Sequence, residues 1–323
     1  MTVLGFHASH EQIPPGDLLR AVQQAEEVGF GAAMCSDHVA PWSERQGESG
    51  FAWSWLGAAM QATTIPFGVV NAPGQRYSPV MIAQAAATLE SMYPGRLWVA
   101  LGSGENVNEH ITGDPWPPKD VRNARLRECA DIIRALFAGE EVTHHGLVTV
   151  DRARLWTRPD SPPPFLGAAV SEETARWLGG WTDGLITIYQ PGDALPRMLE
   201  AYREAGGGGR LVLQVHLSYA PDERDALELA HDQWRTNSLK PPTTWDLAMP
   251  SEFDEATAEV QPDDLRSSVL ISSDPGRFVD WLGDLLPLGF DEIHLHHVGR
   301  HQDEFLDVFG ERVLPQLALG GFR

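Results

Sequence analysis

The architecture of the chain can be inferred outward from residues 32–42, Ala-Ala-Met-Cys-Ser-Asp-His-Val-Ala-Pro-Trp. The small and apolar residues at its start predict a strand that is buried on both faces. The strand ends in Asp37 and His38, and Pro41 stops regular structure just before Trp42. Buried parallel strands deliver catalytic groups at their carboxyl ends in this way. The alternative is a structural role, in which Asp37 caps the next helix and His38 is an ordinary loop residue. A second polar cluster follows another predicted strand, and this favours a functional role for Asp37 and His38.

Strand and helix patterns alternate along the rest of the chain. Strands are predicted at 3–7, 32–36, 65–70, 97–101, 164–169, 184–188, 211–219 and 292–297. Helices are predicted at about 17–28, 52–62, 79–93, 123–137, 172–181, 275–286 and 303–316, and a small hairpin at 142–150. Strand-then-helix units of this kind predict an α/β fold, a (β/α)₈ TIM barrel. We expect one domain over residues 1–323, with its main insertion after strand seven, a lid-like segment at 236–264.

Composition narrows the classes of partner. The net charge of −21 disfavours a surface that follows nucleic-acid phosphates or an anionic membrane. No run of 18 apolar residues predicts a membrane span, and no signal peptide is evident. The two cysteines have no metal-site or disulfide spacing, which favours a reducing cytoplasm. A small-molecule substrate is therefore the expected partner, without nucleic acid or membrane.

In a barrel, the carboxyl ends of all strands meet at one face, so distant residues converge there. The residues at these ends are His7, Asp37-His38, Val70-Asn71, Glu105 with Asn108, Ala168-Ala169, Thr187 and His296. Histidine and carboxylate side chains can move protons. The small residues 167–169, followed by a helix starting near Ser171, predict a cradle of backbone N–H groups for an anion. A phosphorylated, planar cofactor across the barrel mouth would fit this combination.

Two other chemistries are less well supported. His294, His296 and His297 could bind zinc, but alternate residues of a strand face opposite ways, and we expect no metal. The motif Gly102-Ser103-Gly104 lacks the third glycine of a dinucleotide-binding fingerprint, because Val107 stands there.

The same residues carry a resemblance over nearly the whole chain to the luciferase-like monooxygenase superfamily, whose barrels bind FMN or the deazaflavin F420. The most specific motifs are Ser36-Asp37-His38 with Pro41-Trp42, Arg76-Tyr77 followed by Ile82-Ala83-Gln84-Ala85, and residues 102–109, Gly-Ser-Gly-Glu-Asn-Val-Asn-Glu. Together they are similar to the branch that contains the F420-dependent glucose-6-phosphate dehydrogenases.

The resemblance implies roles for individual residues. In that branch, the residue matching His38 is the proposed base, the one matching Trp42 supports the intermediate, and the one matching Glu105 donates a proton to the cofactor. The implied cofactor contacts are Asp37, Val70, Asn71, Asn108, Ala168, Ala169, Val170 and Ser171. Val170-Ser171 replaces the usual double glycine. A non-proline cis peptide is expected within residues 69–71.

Departures from the branch shape the choice of cofactor and substrate. The segments where the sugar-phosphate enzymes carry basic residues are here 188–191, 254–256 and 267–268, without lysine or arginine. Glucose 6-phosphate is therefore a poor candidate substrate. The chain resembles most closely a subgroup thought to have reverted from F420 to FMN. A chain of charge −21 also suits a cofactor with one phosphate better than the long anionic tail of F420, since Arg45, Arg76, Lys119 and Arg176 are the obvious cations near the mouth.

We therefore expect an FMN-dependent oxidoreductase or monooxygenase in which His38 and Glu105 transfer protons beside the flavin. The first alternative is an F420-dependent dehydrogenase of a neutral, non-phosphorylated substrate. The second is a non-catalytic flavin-binding protein. The resemblance also implies a homodimer, and a flavin reductase or an F420 reductant system as a further partner.

Overall fold

A computed structural model describes residues 2–319. The strands are β1 (Val3–Ala8), β2 (Ala32–Ser36), β3 (Phe67–Asn71), β4 (Leu97–Leu101), β5 (Val142–His145), β6 (Thr149–Ala153), β7 (Phe165–Ala168), β8 (Gly184–Ile188), β9 (Arg210–Tyr219), β10 (Leu270–Ser272) and β11 (Glu292–His297). The helices up to the insertion are α1 (Pro15–Val28), α2 (Ala52–Ala62), α3 (Pro79–Met92), α4 (Asn106–Glu109), α5 (Lys119–Ala138), α6 (Glu172–Gly179), α7 (Ala194–Glu204) and α8 (Glu223–Trp234). The later helices are α9 (Thr243–Asp246), α10 (Pro250–Ala256), α11 (Pro275–Leu285), α12 (Asp303–Arg312) and α13 (Leu314–Leu319).

Eight parallel strands close into a barrel. The order is β9-β11-β1-β2-β3-β4-β7-β8, and pairing of β8 with β9 closes the ring. The predicted (β/α)₈ TIM barrel is confirmed, because all eight predicted strands are present. β10 pairs only with the far end of β9, outside the ring, and the short hairpin of β5 and β6 stands apart from the barrel.

Alternation along the strands sorts side chains between the barrel interior and the helix layer. Gly5 and His7 face inward, whereas Phe6 packs on Phe30 in the outer core. Gly68 lies beside the Trp98 indole, and a Cβ at this glycine would collide with the ring. The lower interior is therefore filled by large side chains from some strands and glycines from their neighbours.

Local sequence explains several helix starts. Proline occupies the first helical position of α1, α3 and α11, where its missing N–H costs no hydrogen bond. Ser78 and Asp274 cap two of these helices by accepting hydrogen bonds from the N–H groups of Val80 and Gly276. Gly29 ends α1 with a positive φ of 109°.

The structure differs from the sequence prediction in a few elements. α5 begins at Lys119 rather than near residue 123, and α7, α8 and β10 had no predicted counterpart. The final predicted helix is divided at Val313 into α12 and α13. The predicted lid-like segment 236–264 contains α9 and α10 and follows α8. Over residues 2–319, the helices include none that is long and apolar enough to cross a membrane.

Candidate active site

His38 lies between two carboxylates at the carboxyl end of β2. Its Nδ1 is 2.6 Å from Oε1 of Glu11, and its Nε2 is 3.7 Å from Oε2 of Glu105. Ser9 donates a further hydrogen bond of 2.8 Å to Oε2 of Glu11. Because an ionised carboxylate only accepts hydrogen bonds, Nδ1 of His38 carries a proton and Nε2 of the neutral ring presents a lone pair.

Glu11 and His38 shift each other's pKa. Burial alone would raise the pKa of Glu11, but the charge and hydrogen bond of His38 lower it to about 2. Burial would lower the pKa of His38, but the Glu11 carboxylate raises it above its usual value. The pair therefore favours the state with an ionised Glu11 and a basic imidazole. The sequence prediction did not include Glu11, which lies in the turn after β1, three residues beyond Ala8.

Glu105 closes the other side of His38. Burial raises the pKa of its carboxyl, and the neighbouring His38 opposes this effect only in part. Asn108 Nδ2 donates to Oε2 of Glu105 at 3.3 Å, and Asn108 Oδ1 accepts from the Val39 N–H at 2.9 Å. Asn108 thus joins the loops that follow β2 and β4. Burial therefore makes the protonated form of Glu105 more favourable than that of an exposed glutamate.

Asp37 is fixed in the wall of the mouth by three side chains. Trp53 Nε1 donates to Oδ2 at 3.2 Å and the Tyr77 hydroxyl donates to Oδ1 at 3.4 Å. Arg76 Nη2 donates to the Asp37 carbonyl at 2.6 Å and lies 3.7 Å from Oδ2. Burial raises the pKa of Asp37, against the charge of Arg76. The helix-cap alternative for Asp37 is wrong, because its carboxylate binds these side chains.

Trp42 connects His38 to the insertion. Its ring meets His38 edge to face, with centroids 5.1 Å apart, and meets Phe253 of α10 at 5.5 Å in the same manner. The insertion also reaches the opposite rim, where Asn106 Nδ2 donates to the Asp246 carbonyl at 2.9 Å. The lid-like segment therefore contacts the mouth on two sides.

The ends of β3 and β7 supply small and apolar side chains. Val70 and Ala168 pack in one interior cluster of the barrel. Asn71 Nδ2 donates to the Ala100 carbonyl at 3.1 Å, whereas its buried Oδ1 accepts no hydrogen bond from the described residues. The cis peptide expected at 69–71 is not found: the cis bond recorded within residues 2–319 is Pro241–Pro242. Instead, β3 remains paired with β4 in regular parallel register up to Asn71, which lies opposite Leu101.

The cradle predicted at residues 168–171 is only partly available. Ala169 N–H donates to the Ile186 carbonyl at 3.0 Å and its side chain is buried in the outer core, so this amide cannot also bind an anion. Ser171 caps α6 by accepting from the Thr174 N–H. Val170 is 37 % exposed and lies just before this cap. The cradle is thereby limited to the Val170–Ser171 end of the loop.

The four cations expected near the mouth differ in their availability. Arg45 is paired with Asp254, Arg76 bridges Asp37 and Glu109, and Arg176 forms a surface pair with Glu204. Lys119 Nζ contacts Thr174 Oγ1 at 3.3 Å at the start of α6. Lys119 therefore places a positive charge beside the Val170–Ser171 loop.

A group of histidines lies in the interior below the mouth, on the adjacent strands β1, β11 and β9. The His7 ring stacks on His296 with centroids 4.3 Å apart, and His216 is aligned with His296 in the strand register. Gln12 Oε1 is 3.0 Å from His296 Nε2. His297 faces outward and stacks on Phe305. Among residues 2–319, no three His, Cys, Asp or Glu side chains are grouped so that they could hold a metal ion.

These buried histidines predict a loss of stability in acid. Burial lowers the pKa of His7 to about 3, and that of His10, His216 and His297 to about 4 each. Between pH 6.5 and 4 the unfolded chain binds protons that the folded protein does not, so stability falls as the pH falls, by up to about 1.4 kcal/mol per pH unit for each group. The raised pKa of His38 acts in the opposite direction, and the lowered pKa of Glu11 adds a loss below pH 4.5.

Urea unfolding between pH 7 and pH 4.5 measures this dependence. We expect the free energy of unfolding to fall by several kcal/mol, and His216→Gln to make the fall shallower. A free energy of unfolding that stays constant over this range would contradict the assignment of neutral, buried histidines.

Comparison with known proteins identifies the family. Residues 1–292 match the model of the luciferase-like monooxygenase family. The chain is 34 % identical to an F420-dependent glucose-6-phosphate dehydrogenase of Nakamurella multipartita, over 97 % of this chain and 96 % of the relative. A protein of the same name from Beutenbergia cavernae is also 34 % identical, over 98 % of each chain.

A solved structure agrees with these relatives. It is an F420-dependent secondary alcohol dehydrogenase in complex with an F420-acetone adduct, with a TM-score of 0.89 and 30 % identity, covering 98 % of this chain and 99 % of the other. The relatives are oxidoreductases, so the hypothesis of a non-catalytic flavin-binding protein is not supported. The chain belongs to the luciferase-like monooxygenase family, and it is an oxidoreductase of that type.

Proposed function

We propose that this protein is an F420-dependent dehydrogenase that oxidises a neutral, non-phosphorylated alcohol. The observation that carries the proposal is the clamp on His38, whose Nδ1 lies 2.6 Å from Glu11 while its Nε2 faces Glu105 at 3.7 Å. This arrangement leaves one ring nitrogen free to accept a proton from a substrate hydroxyl.

F420 replaces FMN as the favoured cofactor. The relatives and the solved structure reported above are named for F420, which argues against the first expectation of FMN. The residues of the mouth fit a flat ring system, because Val70 and Ala168 offer apolar contact and the buried Oδ1 of Asn71 is free to accept a hydrogen bond. Lys119 offers a cation for a cofactor phosphate near Val170 and Ser171.

When bound, F420 would supply the hydride acceptor, and the protein would manage the protons. His38 Nε2 takes the hydroxyl proton, and the Glu11 carboxylate stabilises the imidazolium that results. Trp42 limits the space beside His38 through its edge-to-face contact. Glu105, whose pKa is raised by burial, lies on the far side of the histidine, where it could pass a proton to the cofactor. Asp37, Asn71 and Asn108 would line the cofactor site.

The charges of the mouth favour a neutral substrate. Glu11 and Glu105 flank the reacting position, and Arg76 is already engaged by Asp37 and Glu109. A substrate phosphate near these carboxylates would be repelled without a free cation to compensate it. A secondary alcohol needs only a hydrogen bond to His38.

Cofactor titration tests the first half of this proposal. Cofactor fluorescence reports binding in this titration. We expect F420 to bind with a Kd in the micromolar range or below, which corresponds to a binding free energy of about 8 kcal/mol or more. FMN should bind at least about tenfold more weakly, a difference of about 1.4 kcal/mol. Tight binding of FMN, with no detectable binding of F420, would restore the flavin interpretation.

The partners inferred from the resemblance remain proposals. A homodimer would bury apolar surface in a self-complementary interface. An F420-dependent dehydrogenase also needs a separate system that oxidises its reduced cofactor, and this replaces the flavin reductase expected for an FMN enzyme.

A further inference from the structure

Two arginines converge on one carboxylate beside Trp42. Asp254 lies on α10, next to Phe253, which packs against the Trp42 ring. Its Oδ1 is 2.5 Å from Arg45 Nη2 and 3.9 Å from Arg235 Nη2. Arg45 comes from the loop after β2, whereas Arg235 follows α8 directly. Two guanidinium groups from different parts of the chain thus lie beside one carboxylate.

The carboxylate also holds the loop that carries Trp42. Asp254 Oδ1 accepts from the Ser43 hydroxyl at 2.8 Å, and Oδ2 accepts from the Glu44 N–H at 3.0 Å. These hydrogen bonds involve the two residues that follow Trp42. The cluster of Arg45, Arg235 and Asp254, which we call the arginine corner, therefore holds the segment directly after Trp42, whose ring contacts His38.

The arginine corner has little other compensation for its positive charge. Arg45 Nε lies 3.8 Å from Oδ1 of Asp232, whose side chain is 58 % exposed, so solvent screens this pair. Arg235 Nε is buried and has no hydrogen-bond partner among the described residues. The side chains of Arg235 and Asp254 are each 18 % exposed. Asp254 is accordingly the main group that offsets the positive charge of the corner.

We propose that Asp254 selects against phosphorylated substrates: by binding Arg45 and lying close to Arg235, it lowers the net positive charge of the arginine corner and weakens the binding of a phosphate group there. Guanidinium groups match phosphate geometry well and bind it strongly once they are free of a carboxylate partner. Removing the charge of Asp254 should turn the arginine corner into an anion site. The inference deepens the proposed function, and rests on it for the position of the substrate.

Asp254→Asn tests the proposal with little change of shape, because the amide oxygen can still accept from Ser43 or Glu44. Titration calorimetry with inorganic phosphate, and with glucose 6-phosphate against glucose, would measure anion affinity in the whole protein. We expect about 10–100-fold tighter binding of both phosphates in Asp254→Asn than in the wild type, and no gain for glucose. Adding Arg235→Gln to the variant should remove most of the gain.

Glu255→Gln is the matched control. Glu255 is the exposed neighbour of Asp254 on α10, so its replacement makes the same change of charge away from the arginines. It should leave phosphate affinity within about twofold of the wild type. If Asp254→Asn does not fold, Asp254→Ser, which keeps a hydroxyl acceptor, is measured in its place.

Two results would overturn the proposal: unchanged phosphate affinity in folded Asp254 variants, or an equal gain in Glu255→Gln. Phosphate binding requires neither F420 nor turnover. Failure of this inference is therefore distinct from failure of the proposed dehydrogenase activity, which would appear as an absence of alcohol-dependent F420 reduction in the wild type.

Discussion

Replacing His38 with alanine is expected to lower turnover by about 10²–10⁴-fold, the usual contribution of a positioned acid or base. The imidazole is the only group between Glu11 and Glu105 that the proposed mechanism uses as a base, and its Nε2 faces the mouth. The fold should persist, because His38 lies in the loop after β2 rather than in the barrel core. Its removal also leaves Glu11 without its partner, and Glu11 can then bind a proton or water.

Turnover and melting temperature should be measured on the same preparation. His110→Ala is a suitable control, because His110 is a half-buried histidine after α4 whose Nδ1 contacts the Asn106 carbonyl. We expect this control to retain most of the wild-type activity. If His38→Ala lowers the melting temperature but keeps its turnover, His38 is a structural loop residue and the proposed role is wrong.

Glu11→Gln is expected to have the second largest effect. The neutral amide cannot stabilise an imidazolium as the carboxylate does, so the pKa of His38 should fall from its raised value. A weaker base should reduce turnover by about 10²-fold. Because oxidation needs unprotonated Nε2, the acid limb of the pH–rate profile should move to lower pH. NMR titration of the His38 ring in the same variant would report the pKa directly.

A buried carboxylate remote from the mouth provides the control for this substitution. Glu90 is 4 % exposed and accepts a hydrogen bond from the Gly95 N–H at 2.6 Å near the end of α3. Glu90→Gln should change stability without moving the acid limb. An acid limb that stays in place in Glu11→Gln would show that Glu11 does not set the basicity of His38.

The barrel and the central residues of the site could be predicted because they depend on local patterns. Short apolar runs alternate with helical segments, and this alternation places all strand ends at one face. His38, Trp42 and Glu105 lie in the loops that follow such ends, and the structure brings them together. Parallel strands impose this convergence whatever the distance along the chain.

The missed features depend on contacts that no local pattern reveals. Glu11 lies three residues beyond β1, in a turn that folds back to His38. Phe253 and Asp254 reach the mouth from an insertion without regular periodicity, more than 200 residues after Trp42. The N–H of Ala169 was expected to face an anion, but β8 continues the ladder and accepts its hydrogen bond. Side-chain partners of this kind require the tertiary structure.

The rate of F420 reduction by propan-2-ol, compared with that by glucose 6-phosphate, tests the central claim most directly. Loss of the visible absorbance of oxidised F420 measures the rate for each substrate with the same wild-type preparation. We predict reduction with propan-2-ol, loss of that activity in His38→Ala, and little or no reduction with glucose 6-phosphate. Rapid reduction by glucose 6-phosphate, without reduction by any unphosphorylated alcohol, would contradict the account.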